Sequence, residues 1–95
     1  MEKMLNKEQL EQLEELGAAF TSIEDAAVIL QVNYVNLGTR IACKESEEHQ
    51  HYHRGRLKSE FETRQSIVNQ AKQGSSPAQV LAMRLINDLK MDHAQ

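Results

Sequence analysis

Between Phe20 and Ile41 the chain reads FTSIEDAAVILQVNYVNLGTRI, and no other stretch restricts the fold so tightly. Leu30, Val32, Leu37 and Ile41 are spaced to point inward from two short helices, with Gln31, Val32 and Asn33 as the turn between them. Ala27 falls where those helices cross closest, and a larger side chain there would push them apart. Tyr34, Val35, Gly38 and Thr39 are left facing outward. This is the pattern of a helix-turn-helix, whose second helix enters the major groove of DNA. Nucleic acid is therefore the first partner class the sequence suggests.

The flanking segments predict further helices. Leu5, Leu10, Leu13 and Leu16 form an apolar stripe over about Lys3 to Leu16, with Gly17 near the end of that helix. Thr21 or Ser22 is placed to cap a second helix reaching about Leu30, and Asn33 to cap a third reaching about Lys44. From about 48 to 73 no breaker other than Gly55 interrupts the chain, which predicts one long helix of roughly 39 Å. Gly74 and Ser75 end it. Ser76, Pro77 and Gln79 then read as cap, first-turn proline and reciprocal side chain of a final helix over about 77 to 91. The expected fold is all-α: a trihelical helix-turn-helix lobe over 1–46, followed over 47–95 by a long antiparallel helical hairpin.

A chain of 95 residues buries only a thin core by itself. The final helix carries Val80, Leu81, Met83, Leu85, Ile86, Leu89 and Met91, more apolar positions than one partner helix covers, so self-association is expected. Tyr52, Leu57, Phe61, Ile67, Val68, Leu81, Leu85 and Leu89 are the candidate oligomerisation residues. One Pro, four Gly and no Trp agree with helices rather than sheet. The start MEKMLN lacks the apolar run of a secretory signal, and no run of apolar residues is long enough for a membrane span, so an intracellular protein without membrane contact is expected. Cys43 stands alone, which excludes an intrachain disulfide.

The formal net charge of -3 argues mildly against a DNA binder until the charges are placed. Residues 1 to 33 carry seven acids against Lys3 and Lys7, whereas residues 34 to 58 carry Arg40, Lys44, Arg54, Arg56 and Lys58 against three acids. The basic excess begins at the candidate reading helix. It is small, so one copy should bind DNA weakly and several copies together usefully.

The helix-turn-helix segment followed by Tyr52, Arg54, Gly55 and Arg56 opening a long helix, Arg64 further along it, and a last helix bearing Ala78, Ala82, Met83 and Leu85, resembles the small subunit of phage DNA-packaging terminases over about residues 18 to 90. That resemblance implies an oligomeric adaptor in which the first lobe recognises viral double-stranded DNA. The hairpin builds a ring larger than a dimer, and the ring presents DNA to a large subunit that owns the ATPase and nuclease. It also implies the cytoplasm of an infected or prophage-bearing bacterial host. Gln31 stands at the turn where such motifs usually carry Gly. Gly38 removes a side chain that often touches a base, and costs roughly 1 kcal/mol of helix propensity.

Asn33, Tyr34, Asn36, Thr39, Arg40 and Lys44 are the candidate DNA-binding set, with Arg40 and Lys44 on phosphates and Tyr34 or Asn36 near base edges. Arg54 and Arg56 join them, and together with Lys58 and Arg64 are candidates for a ring bore or rim. The same residues also suit solvated helix faces, with Arg56 paired to Glu60 and Lys58 to Glu62 at i,i+4 spacing. His49 and His53 share a helical face at a spacing that chelates metals, while His51 points elsewhere. No HExxH arrangement, cysteine pair or matching carboxylate completes a site, so no metal and no cofactor is expected. No nucleophile with its base, paired carboxylates or phosphate loop appears, which predicts a non-catalytic chain. Rival readings are a dimeric helix-turn-helix transcription regulator and a helical interaction module that touches no DNA.

Overall fold

The computed structural model describes the backbone of residues 4–94 and the side chains of residues 4–92. Among these residues the chain is all-helical, without strands, in five helices: α1 Lys7–Ala18, α2 Ile23–Leu30, α3 Tyr34–Ala42, α4 Glu47–Lys72 and α5 Ser76–Ala94. No helix among the described residues is long and apolar enough to cross a membrane. The chain divides into two compact units, Met1–Ser59 and Glu60–Gln95.

In the first unit each helix starts on a side chain that satisfies its orphan N–H groups. Asn6 and Gln9 form a reciprocal capping box on α1: the Asn6 side chain accepts from Gln9 N at 2.8 Å, and Gln9 Oε1 accepts from Asn6 N at 2.9 Å. The leucine stripe alone points to a start near Lys3, which lies outside the described residues; positions 4–6 are not helical, and α1 starts at Lys7 because Asn6 supplies the cap. Ser22 caps α2 and Asn33 caps α3, accepting from Asp25 N at 3.1 Å and Asn36 N at 2.9 Å. Helix α3 stops at Ala42, short of Lys44.

The ends of α1, α2 and α4 share one device. After α1 and α2 a residue in the left-handed region turns the chain, Phe20 at φ 58° and Gln31 at φ 59°. The following N–H reaches back five residues, Thr21 N to Leu16 O and Val32 N to Ala27 O, both at 3.0 Å. After α4 glycine does the same work: Gly74 has φ 99°, and Ser75 N bonds Gln70 O at 3.1 Å.

Leu5, Leu10, Leu13, Ala26, Ala27, Leu30, Leu37, Ile41 and Tyr52 form the core, with Met4, Leu16, Ile23 and Val32 packed at its edge. Tyr52 brings α4 into this cluster. Its hydroxyl donates to Thr21 O at 2.6 Å, and Ser59 Oγ donates to Ala18 O at 2.5 Å. Gly17 and Gly55 let α1 and α4 meet backbone to backbone: a Cβ on Gly17 would strike the Tyr52 carbonyl, and one on Gly55 the Glu14 carbonyl. The opening half of α4 therefore belongs to the first compact unit, whose limit lies beyond the 46/47 boundary that the sequence pattern suggests.

In the second unit, α5 begins on Ser75 rather than Ser76. Ser75 Oγ accepts from Ala78 N at 3.4 Å, and Ser76 and Pro77 are already helical. The left-handed Gly74 delivers the chain one position earlier, and Pro77, lacking an N–H, fits the first turn without cost. Gln79 does not return to the cap; its amide donates across to Ala71 O of α4 at 3.2 Å. Ala78 is buried, whereas Phe61, Val80, Leu81, Met83, Ile86, Leu89 and Met91 are exposed.

Candidate nucleic-acid interface

Helix α3 is held by its two buried residues, Leu37 and Ile41, and this fixes what it presents to solvent. Asn33, Tyr34, Val35, Asn36 and Thr39 are exposed. Two of these side chains are partly committed: Asn33 Oδ1 to the cap, and the Thr39 hydroxyl, which donates to Val35 O at 2.9 Å. Tyr34 and Asn36 carry no side-chain hydrogen bond among the described residues, and the Asn33 amide nitrogen is likewise unused. Gly38 sits on the same helix with open space where a Cβ would be.

Arg40 does not join that face. Its Nη2 donates to Glu48 Oε1 at 3.2 Å, its side chain is only 18% exposed and that of Glu48 2%. Arg40 Nε and Glu48 Oε2 are buried without a protein hydrogen-bond partner. The expectation of a phosphate contact is thus corrected: the guanidinium is engaged inward by a buried carboxylate. Lys44 is exposed, just beyond the end of α3.

Between α3 and α4 a short polar network ties the helices together. Ser46 Oγ donates to Arg40 O and accepts from His49 N at 3.0 Å, capping α4, while His49 Nδ1 bonds Ile41 O at 2.6 Å. With Glu48 buried beside them, these bonds join the end of α3 to the start of α4. Spacing alone shows Ser46 and His49 in cap register, but Glu48 looks like one more solvated acid in a run of acids. Its burial depends on Arg40 arriving from another helix.

The remaining basic candidates lie on α4. Arg54 is exposed and 3.9 Å from Glu14 Oε1, a contact too long and too wet to matter greatly. Arg56 directs its guanidinium at His53 Nδ1, with Nη2 at 3.2 Å. His53 is held below its ordinary pKa, first by loss of solvent and then by the neighbouring His49 and Arg56. The His49 and His53 rings lie 4.3 Å apart, and His51 turns to Glu14 Oε1 at 3.1 Å. Among the described residues no group of three or more His, Cys, Asp or Glu is arranged to hold a metal.

Of the oligomerisation candidates, Tyr52 is corrected: it is buried in the core of its own chain and hydrogen-bonded there. Leu57, Phe61, Leu81 and Leu89 are exposed, and Ile67, Val68 and Leu85 half-buried. The structure adds an exposed apolar pair that the inward-facing pattern does not single out, Val28 at 73% and Ile29 at 48% on α2. The signal for it is the run AlaAlaValIleLeu at 26–30, more apolar than one buried stripe requires. No protein-family model, curated protein or solved structure was found to match the chain.

Proposed function

We propose that α2, the left-handed turn at Gln31 and α3 form a helix-turn-helix that contacts double-stranded DNA. We propose too that α4 and α5 form an antiparallel hairpin through which copies associate. On this reading the protein is a non-catalytic DNA-recognition adaptor of the kind the resemblance implies. It acts as a terminase small subunit, assembled beyond a dimer, handing viral DNA to a large ATPase and nuclease subunit in the cytoplasm of an infected or prophage-bearing bacterium. The observation that carries it is the division of α3: Leu37 and Ile41 buried, Tyr34, Asn36 and Thr39 outside. Lys44 is the cation best placed for a phosphate, while Arg40 serves the fold.

The test is an anisotropy titration of labelled duplex DNA at low salt. Asn36→Ala and Lys44→Ala should weaken binding, and the wild-type affinity should fall as salt rises. Binding unchanged by either substitution would remove α3 from the interface. Light scattering should show an assembly larger than a dimer, which Phe61→Glu or Leu85→Glu breaks by placing an unpaired charge in the contact. A second reading is favoured by Val28, Ile29 and Val35, whose exposure suits a protein partner. A helical interaction module would leave the DNA titration flat.

A further inference from the structure

Between the distal part of α4 and α5 runs an apolar groove of about 730 Å³. Its floor includes Phe61, Val68, Leu85 and Leu89, and its edges differ in sign: α4 contributes Arg64 and Lys72, α5 contributes Asp88 and Asp92. None of these four charges forms an ion pair among the described residues. Ala78 is the only buried apolar side chain described in this unit, which is below the size at which a chain usually holds its shape alone. Its apolar surface must be covered for the two helices to keep this arrangement in water.

We infer that the groove is covered by the same groove of a second copy of this chain, with the basic α4 edge of each set against the acidic α5 edge of the other. A surface carrying one sign on each helix is complementary to itself when turned over. A partner helix of uniform charge would meet one edge favourably and the other unfavourably. The apolar floor supplies the contact and the two edges fix its orientation, because a reversed pairing brings like charges together. The inference rests on the self-association part of the reading above and names one surface that performs it: a groove set against the same groove closes at two copies, so growth beyond a dimer uses a further contact; it does not depend on DNA contact by α3.

The experiment uses the full chain and two charge reversals, Arg64→Glu and Asp88→Arg, followed by light scattering over a dilution series. Wild-type protein should be larger than a monomer, and each reversal alone should raise the dissociation concentration at least tenfold. An equimolar mixture of the two variants should regain wild-type association. In the mixed pair the glutamate introduced at position 64 of one variant meets the arginine introduced at position 88 of the other, while the native Arg64 and Asp88 still pair. Rescue by mixing separates pairing between copies from pairing within one chain and from damage to the fold. An assembly indifferent to both reversals overturns this surface and leaves self-association standing through another. Weakening without rescue likewise overturns it. A wild-type monomer at all concentrations overturns both the groove pairing and the oligomeric adaptor, whatever the DNA titration shows.

Discussion

Gly17 of α1 and Gly55 of α4 are the point where two helices touch through bare backbone, each leaving no room for a Cβ against the other helix. The obstructing atoms are main-chain carbonyls, Tyr52 O and Glu14 O, which have no rotamer to move away. Gly17→Ala and Gly55→Ala should therefore each separate the helices and strain the Tyr52 and Ser59 bonds beside the crossing. The expected loss is roughly 1–3 kcal/mol or more, the usual range for overpacking. Gly38→Ala is the internal control: nothing lies within 4 Å of the added Cβ, so it should gain about 1 kcal/mol from helix propensity. Thermal melts of the three variants decide it; equal melting points for Gly17→Ala and wild type would show that the two backbones are not in contact at the crossing.

A second expectation concerns Gln31, whose φ of 59° and ψ of 44° place an ordinary side chain in the left-handed region. The cost for a residue with a Cβ is roughly 1 kcal/mol. Gln31→Gly relieves it without opening a cavity, since the Gln31 side chain is exposed. The variant should unfold at higher denaturant concentration by a shift worth about 0.5–1 kcal/mol, with the slope of the transition unchanged. Gln31→Val, β-branched, should move the midpoint the other way.

The lowered pKa of His53 makes a third prediction, with a definite sign. Its neutral form is favoured in the folded chain, so above the ordinary value of 6.5 both folded and unfolded states are neutral and the native contribution is fully present. As pH falls below 6.5 the unfolded chain takes up the proton first, and stability is lost progressively down through the lowered folded value. Melting temperature should drop as pH falls below about 6.5, and His53→Gln, which keeps an acceptor for Arg56, should flatten that slope. A slope unchanged in His53→Gln would assign the loss to other groups.

How much of this is legible in the sequence differs from element to element. Ser22 and Asn33 announce their helices because capping is local, and Leu30, Leu37 and Ile41 announce the core because period is local. The turn at Gln31 is visible from the motif's shape even without glycine. Three features depend on distant partners and are not visible. Gly17 and Gly55 look like punctuation until α1 and α4 are side by side. Tyr52 reads as an outward aromatic until Thr21 O is found above it. Arg40 reads as a phosphate ligand until Glu48 is found buried beneath it. Of the candidate site Arg40 is thus turned inward and Arg56 engaged by His53, while Asn33, Tyr34, Asn36, Thr39, Lys44 and Arg54 stay exposed.

The inward turn of Arg40 yields the last prediction. Arg40→Ala removes the ion-pair partner of a carboxylate whose residue is 1% exposed, and leaving such a charge uncompensated typically costs about 3–5 kcal/mol. Any binding of duplex by the lobe would then be lost simply by unfolding, and the single variant cannot tell a contact from a prop. Replacing the pair together, Arg40→Met with Glu48→Leu, swaps an ion pair with two unsatisfied atoms for apolar groups of similar volume. Such exchanges are often neutral or stabilising. The double variant should therefore melt close to wild type while Arg40→Ala melts far below it. On the proposed reading the double variant should bind duplex as wild type does in the same low-salt titration, because the guanidinium it lacks is engaged by Glu48. A folded double variant that binds tenfold more weakly would return Arg40 to the interface.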